Sequence, residues 1–237
     1  RLILTSSTYR QSSRVTEELK ARDLENRLYA RASRFRMPSL ILRDWALASA
    51  SLIDKKIGGV PVYPYQPGEV WEALAITKER DFTYPLSTGS DLYRRSLYTF
   101  WRRTVSPANM FDSANRQTCR VRQSFTSTPL HSLTMLNDPT WVEAARVLAE
   151  KTMKSFEQPA DQLRSAFTAV VCRIPTERDM QMLQSAWDVQ FSHYQANGEQ
   201  AKELLKVGSA PRDETIDPAK HAALSIVCLA ILNLDEA

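Results

Sequence analysis

The sequence lacks a run of about 18 apolar residues, the length a helix needs to cross a bilayer; its longest candidate is Ala222 to Leu232. A membrane span is therefore not expected. Cysteine is sparse: Cys119, Cys172 and Cys228 form no C-x-x-C pair. That excludes a zinc knuckle and a C-x-x-C-H haem attachment, so no metal site or cofactor is expected within this chain. Cys172 and Cys228 fall on apolar helix faces and are read as buried free thiols, with one disulfide as the alternative. The only Gly-Gly pair, Gly58-Gly59, is followed by Val-Pro rather than by a helix start, so neither a phosphate loop nor a dinucleotide fingerprint is present. No G-x-S-x-G or H-E-x-x-H occurs, and His131, His193 and His221 are scattered, which leaves no self-sufficient hydrolase motif. His193 reads as a surface residue and His221 as partly exposed in the first turn of the last helix.

What the chain has is arginine, unevenly placed. Of 31 basic residues, 22 are Arg and 9 are Lys. Residues 1 to 125 carry 21 basic against 12 acidic residues, and residues 126 to 237 carry 10 against 15, which gives +9 and −5. An excess of Arg over Lys favours paired, bidentate or stacked cations over freely solvated ones. The opposite charges of the halves suit either pairing within the chain or an anion-binding face. The apolar and charged fractions, 43% and 24%, are those of an ordinary globular protein. The chain opens on Arg1 rather than Met and is read as a piece of something longer.

Hydrophobic periodicity predicts a mainly α fold: about six to eight helices, long ordered loops and at most a small β element. Residues 1–237 are expected to form one helical domain, with a possible subdivision into a loop-rich half (1–125) and a helical half (126–237). Val15, Leu19, Leu24 and Leu28 recur at helical spacing, predicting a helix over 14–33. After Pro38, SLILRDWALASASLI is apolar on most sides, so Arg43 and Asp44 sit within a buried helix and require partners. Three prolines between Pro61 and Pro67 make a stiff connection that displays Tyr63 and Tyr65 as a lid or a binding wall. EVWEALA reads as a short helix, and residues 92–104 as an extended or two-stranded element. Asp138-Pro139, Thr176 with Asp179, and Asp217-Pro218 are helix-start signals. They place helices over 140–155, 160–173, 177–196, 199–206 and 219–233, with Gly208 as a C-terminal stop.

Residues 91–143 crowd arginines, aromatics and hydroxyls together. Arg94, Arg95, Arg102 and Arg103 recur in pairs with Leu97, Phe100 and Trp101 between them, which resembles core scaffolding more than the solvated basic stripe of a nucleic-acid binder. Nucleic acid is not expected as a partner. If a binding site exists, its candidates are Arg43, Asp44, Tyr65, Arg94, Arg95, Asp112, Arg122 and His131, the arginines clamping anionic groups of a glycan. Catalytic residues are not identifiable.

The chain resembles the Planctomycete Secreted Domain One family almost end to end. The resemblance rests on SSTYRQSS (6–13), FRMPS with RDWALA (35–46), KIGGVPVYPYQPGEVWE (56–72), LYRRSLYTFWRRT (92–104), MFDSANRQTC (110–119) and TPL (128–130). It continues through LNDPTWVEAAR (136–146), RIPTERD (173–179) and LNLDE (232–236). It implies a C-terminal domain of unknown function in large exported proteins, located in the periplasm or at the cell surface. Such domains commonly follow a cytochrome-c-like haem domain, so haem c is expected upstream rather than in this fragment. Where the family usually has an acid, Ser-Gly and a run Arg-Thr-Asn-Thr-Pro-Leu-Gln-Ala-Leu, this chain has Leu40, Ser49-Ala50 and Phe125 to Leu133. The loss of acid, arginine and amides together, at Leu40, Phe125, Ser127 and His131, is coherent if they form one polar network.

Three functions stay open at this point. The first is a non-catalytic structural and interaction module contacting other domains of the same protein. The second is a domain that binds or processes acidic polysaccharide, and the third a docking surface for a c-type cytochrome.

Overall fold

The computed structural model describes residues 1–34, 36–66, 84–101, 111 and 128–235. It is mainly helical, as expected. Nine α-helices are present among the described residues, one more than the upper expectation: α1 (Leu2–Thr5), α2 (Glu17–Arg22), α3 (Ser39–Ser49), α4 (Pro129–Asn137), α5 (Pro139–Ser155), α6 (Pro159–Val171), α7 (Glu177–Ala196), α8 (Gly198–Leu205) and α9 (Pro218–Ile231). The chain divides into two compact units, Arg1–Met37 and Pro38–Ala237. The division expected at residue 125, and the helix expected at EVWEALA, lie outside the described residues.

In the first unit the expected helix over 14–33 is cut to α2. Thr16 caps it by accepting the Leu19 N–H at 3.2 Å. Its stop is local chemistry: both carboxylate oxygens of Asp23 accept backbone amides, Arg27 at 2.8 Å and Leu28 at 2.7 Å. A short acceptor side chain here takes the amides that a continuing helix would have bonded to carbonyls, which is how Asp competes with helix. Among this unit's described residues Asp23 alone is buried; no hydrophobic side chain is.

In the second unit, α9 is the central element, with Ala222, Ala223, Leu224, Val227, Cys228 and Ile231 all buried. It packs against α5, α6, α7 and α8, and α3 packs against α5 and α6, as expected for the Arg43-bearing helix. Alanines at 144, 145 and 149 on α5 and at 222 and 223 on α9 are buried and leave little bulk between the two axes. The three expected start signals all operate. Asp138 accepts the Thr140 amide at 2.9 Å and Asp217 the Lys220 amide at 2.8 Å. Thr176 and Asp179 close a reciprocal capping box.

The element expected over 92–104 is reduced to two isolated parallel bridges, Asp54 with Arg94 and Val62 with Thr99, beside 3-10 turns at Gly89–Tyr93 and Ser96–Tyr98. Residues 102–104 lie outside the described part. α4 was not anticipated, although Thr128-Pro129 has the same pairing of capping residue and proline as Asp138-Pro139. Of the thiols, Cys228 is buried as expected and burial pushes it up to about 12. Cys172 is exposed, because it occupies a left-handed C-cap of α6 (φ 58°) that turns it off the helix face. Cys119 lies outside the described residues.

Candidate functional site

Two buried polar networks occupy the second unit. The first grows from α3. Arg43, 1% exposed, sends Nη1 to the Arg94 carbonyl at 2.9 Å and Ser96 Oγ at 3.2 Å, and Nη2 to the Leu92 carbonyl at 2.7 Å. Burial pulls its guanidinium below the ordinary value, and the neighbouring charge of Asp44 works the other way. Asp44 accepts the Ser96 amide at 2.6 Å and stands 3.6 Å from Arg95 Nε. Arg94 is itself buried, and donates to the carbonyls of Val60 (3.1 Å), Lys56 (3.3 Å) and Gly58. Its guanidinium lies 4.0 Å over the Tyr98 ring, whose hydroxyl accepts the Gly58 amide at 2.9 Å. Gly58 and Gly59 have φ of 77° and 99°, a backbone that lets successive carbonyls converge on one cation.

The second network is anchored on α5 by Glu143 and Arg146, both 1% exposed at the side chain. Glu143 Oε1 accepts the Tyr93 hydroxyl at 2.8 Å and the Ala210 amide at 2.6 Å, and stands 3.8 Å from Arg146 Nη2. Arg146 donates to the carbonyls of Ala210 (2.7 Å) and Val207 (3.3 Å). Gly208 (φ 91°) packs so closely that a Cβ there would overlap the Glu143 carboxylate. Tyr65 meets the same loop: its hydroxyl accepts the Ser209 amide at 2.9 Å and lies 3.0 Å from Ser209 Oγ. Burial and the Glu143 carboxylate push the Tyr93 and Tyr65 hydroxyls above the ordinary phenol value, so both remain protonated donors.

His221 corrects its sequence reading. It is fully buried at 0% exposure, because it lies one turn into α9, past the exposed cap residue Asp217, on the face that meets the Arg146 carbonyl of α5. Its Nε2 faces the Arg146 carbonyl at 3.0 Å and so donates, while burial lowers the imidazole and keeps it neutral. His193 is exposed, as expected, and its Nε2 lies 3.0 Å from Gln200 Oε1.

The structure thus brings Arg43, Asp44, Arg94 and Arg95 together and sets Tyr65 against the Glu143 network. His131, on α4, is buried with its ring stacked 3.9 Å from Phe111. Asp112 and Arg122 lie outside the described residues, as do Phe125 and Ser127 of the anticipated variant network. Tyr93, Glu143, Arg146 and His221 escaped the sequence reading. A signal for two of them existed: in WVEAAR, Glu143 and Arg146 sit three apart on a helix whose neighbours Trp141, Val142, Ala144 and Ala145 are apolar, so a buried pair follows from periodicity.

Chemically, most of the bonds made by Arg43, Arg94 and Arg146 run to backbone carbonyls. These guanidinium forks hold irregular backbone at 92–96 to α3 and at 207–210 to α5, and Arg94 in turn holds 56–60 to the 92–96 segment. An open depression on α7, lined by Gln181, Met182, Ser185, Ala186, Val189 and Gln190, includes none of the candidate residues. Among the described residues no group of three or more His, Cys, Asp or Glu is placed to hold a metal ion, and no helix is long and apolar enough to cross a membrane.

Fold and networks together define a helical domain stapled by buried arginines. The chain belongs to the PSD1 family of proteins of unknown function (DUF1553), whose model matches residues 1–187 and so includes both networks' anchors on α3 and α5. No curated protein and no solved structure matches it.

Proposed function

We propose that this domain is a non-catalytic structural and interaction module of an exported multidomain protein. One observation carries the reading: Arg43, Arg94 and Arg146, buried among the described residues, direct most of their hydrogen bonds to the chain's own carbonyls. A glycan-clamping site needs guanidinium groups with unspent donors facing solvent. Among the arginine candidates that are described, Arg95 alone keeps substantial exposure, 52% at the side chain, and it faces Asp44. The exported setting rests on the family resemblance.

The test is binding of the intact protein to neutral, uronic and sulfated glycans at low and moderate salt, beside an Arg95→Ala variant of verified fold. The expected result is no selective binding, with any polyanion effect fading alike as salt rises. Selective binding that Arg95→Ala abolishes would replace this reading with the polysaccharide one.

A further inference from the structure

The first unit contains a loop whose construction the module reading does not explain. From Asp23 to Arg31 the backbone is fastened mainly by its own residues. Beyond the two Asp23 bonds, Asn26 Nδ2 donates to the Arg31 carbonyl at 2.8 Å and Asn26 Oδ1 accepts the Arg31 amide at 3.2 Å. The Arg31 guanidinium closes the ring, reaching the carbonyls of Asp23 at 2.9 Å and Leu24 at 2.7 Å. Two non-glycine residues, Asn26 and Tyr29, hold left-handed backbone at φ 52° and 54°. For Tyr that conformation is unfavourable and persists only where the surroundings impose it.

This fastened loop displays apolar side chains rather than hiding them: Leu24 is 72% exposed, Leu28 80% and Tyr29 64%. A loop held in one conformation by its own hydrogen bonds loses little entropy when its side chains are inserted into a partner. Tyr is among the side chains that dominate interface centres, and the exposed leucines add apolar area that a recess can bury. The charge around them is positive. Residues 22–36 contain five arginines (22, 27, 31, 34, 36) against Asp23 and Glu25, a net +3. Asp23 is moreover turned inward onto amides, and Glu17 and Glu18 are occupied by Lys20 and Arg22 at 2.8 and 3.3 Å.

We infer that the Asp23–Arg31 loop is a preformed docking knuckle that inserts Leu24, Leu28 and Tyr29 into an apolar recess on an acidic protein surface. The inference rests on the interaction-module reading and names its contact surface. An anionic bilayer fits less well, since it has no use for a loop fixed in shape.

The probe is an amphipathic peptide with a leucine face and a glutamate face. It is added to the intact protein and followed by amide chemical shifts, with two control peptides, lysine for glutamate and serine for leucine. Binding of the leucine–glutamate peptide, centred on residues 23–31 and absent for both controls, is expected. Leu24→Ser with Leu28→Ser should weaken it by roughly tenfold or more, the scale of removing two leucine side chains from an apolar contact. Leu28→Met should restore it. Unchanged helical circular dichroism separates this loss from unfolding, since Leu24 and Leu28 are both exposed. The proposal is overturned by binding elsewhere on the chain, by binding indifferent to Leu24 and Leu28, or by none. It is equally overturned if phosphatidylglycerol vesicles, or a second copy of the chain in sedimentation, engage these residues in the peptide's place. Failure here with no selective glycan binding removes the knuckle and leaves the module reading standing.

Discussion

Among the described residues of Arg1–Met37 the buried one is a carboxylate, Asp23, and the exposed ones include Leu2, Ile3, Leu4, Leu24 and Leu28; in Pro38–Ala237 the buried charges Arg43, Arg94, Glu143 and Arg146 share the interior with Trp141, Leu148, Leu163, Phe167 and Leu224. The first unit is held mainly by hydrogen bonds spanning a few residues, with one longer bond from the Ala32 amide to the Ser12 carbonyl, the second by apolar packing with long-range guanidinium bonds added. Hydrogen bonds near solvent contribute little net stability each, whereas a buried charge is tightly coupled to the fold around it. Substitutions in the second unit should therefore be felt globally, and those in the first only locally.

The largest expected effect is Arg146→Met. It leaves Glu143 as a buried carboxylate without its cation, and strips the Ala210 and Val207 carbonyls of donors. A loss of about 3–5 kcal/mol in urea unfolding is expected, the cost of breaking one side of a buried pair. A loss near that of a surface arginine would show that the network is not what holds the 207–210 loop. Gly208→Ala should follow at roughly 2–4 kcal/mol, since the added methyl meets Glu143 and left-handed backbone disfavours any side chain. Gly208→Ala placed in a Glu143→Ala background separates the causes. If overlap dominates, most of the penalty disappears there; if backbone strain dominates, it persists.

The helical half was largely legible because its starts are written in short local codes: Asp-Pro twice, and Thr176 with Asp179. Such signals act within one turn and need no tertiary knowledge. The helix expected over 14–33 failed because leucine spacing alone does not register that Asp23 bonds the amides of Arg27 and Leu28 and ends the helix. The extended element near 92–104 is reduced to two isolated bridges for a different reason. Its Phe100 stacks on Tyr63 at 5.0 Å, and its carbonyls at Leu92 and Arg94 accept from Arg43, neither partner being local in sequence. Of the candidate site, the clustering of Arg43 with Arg94 and Arg95 was foreseeable from a charged pair inside an apolar helix. That the guanidinium groups would take backbone carbonyls, 49 and 51 residues away in the case of Arg43, was not.

The two units should also part company with pH, and at different values. His221 in the second unit has its folded-state pKa lowered by burial, so the unfolded chain binds the proton more readily. Its contribution is complete above the ordinary imidazole value of about 6.5 and is lost as pH falls below it. Asp23 in the first unit also has its folded-state pKa lowered, by the Leu28 amide foremost and by the Arg27 amide and Arg31 and Arg27 charges as well. A depressed acid stabilises above its unfolded value of about 3.9 and ceases to do so as pH falls through the folded one. Acidification from neutrality should therefore lower the melting temperature of the second unit while amide protection at Arg27 and Leu28 is still intact. Only in the carboxylate range should those two amides open. His221→Gln should flatten the upper transition without touching the lower, and Asp23→Asn should do the reverse. Hydrogen exchange followed across the titration reads both at once. Simultaneous loss of the two signals near pH 6 would mean that the loop depends on the helical unit for its shape, and that local hydrogen bonding does not hold it on its own.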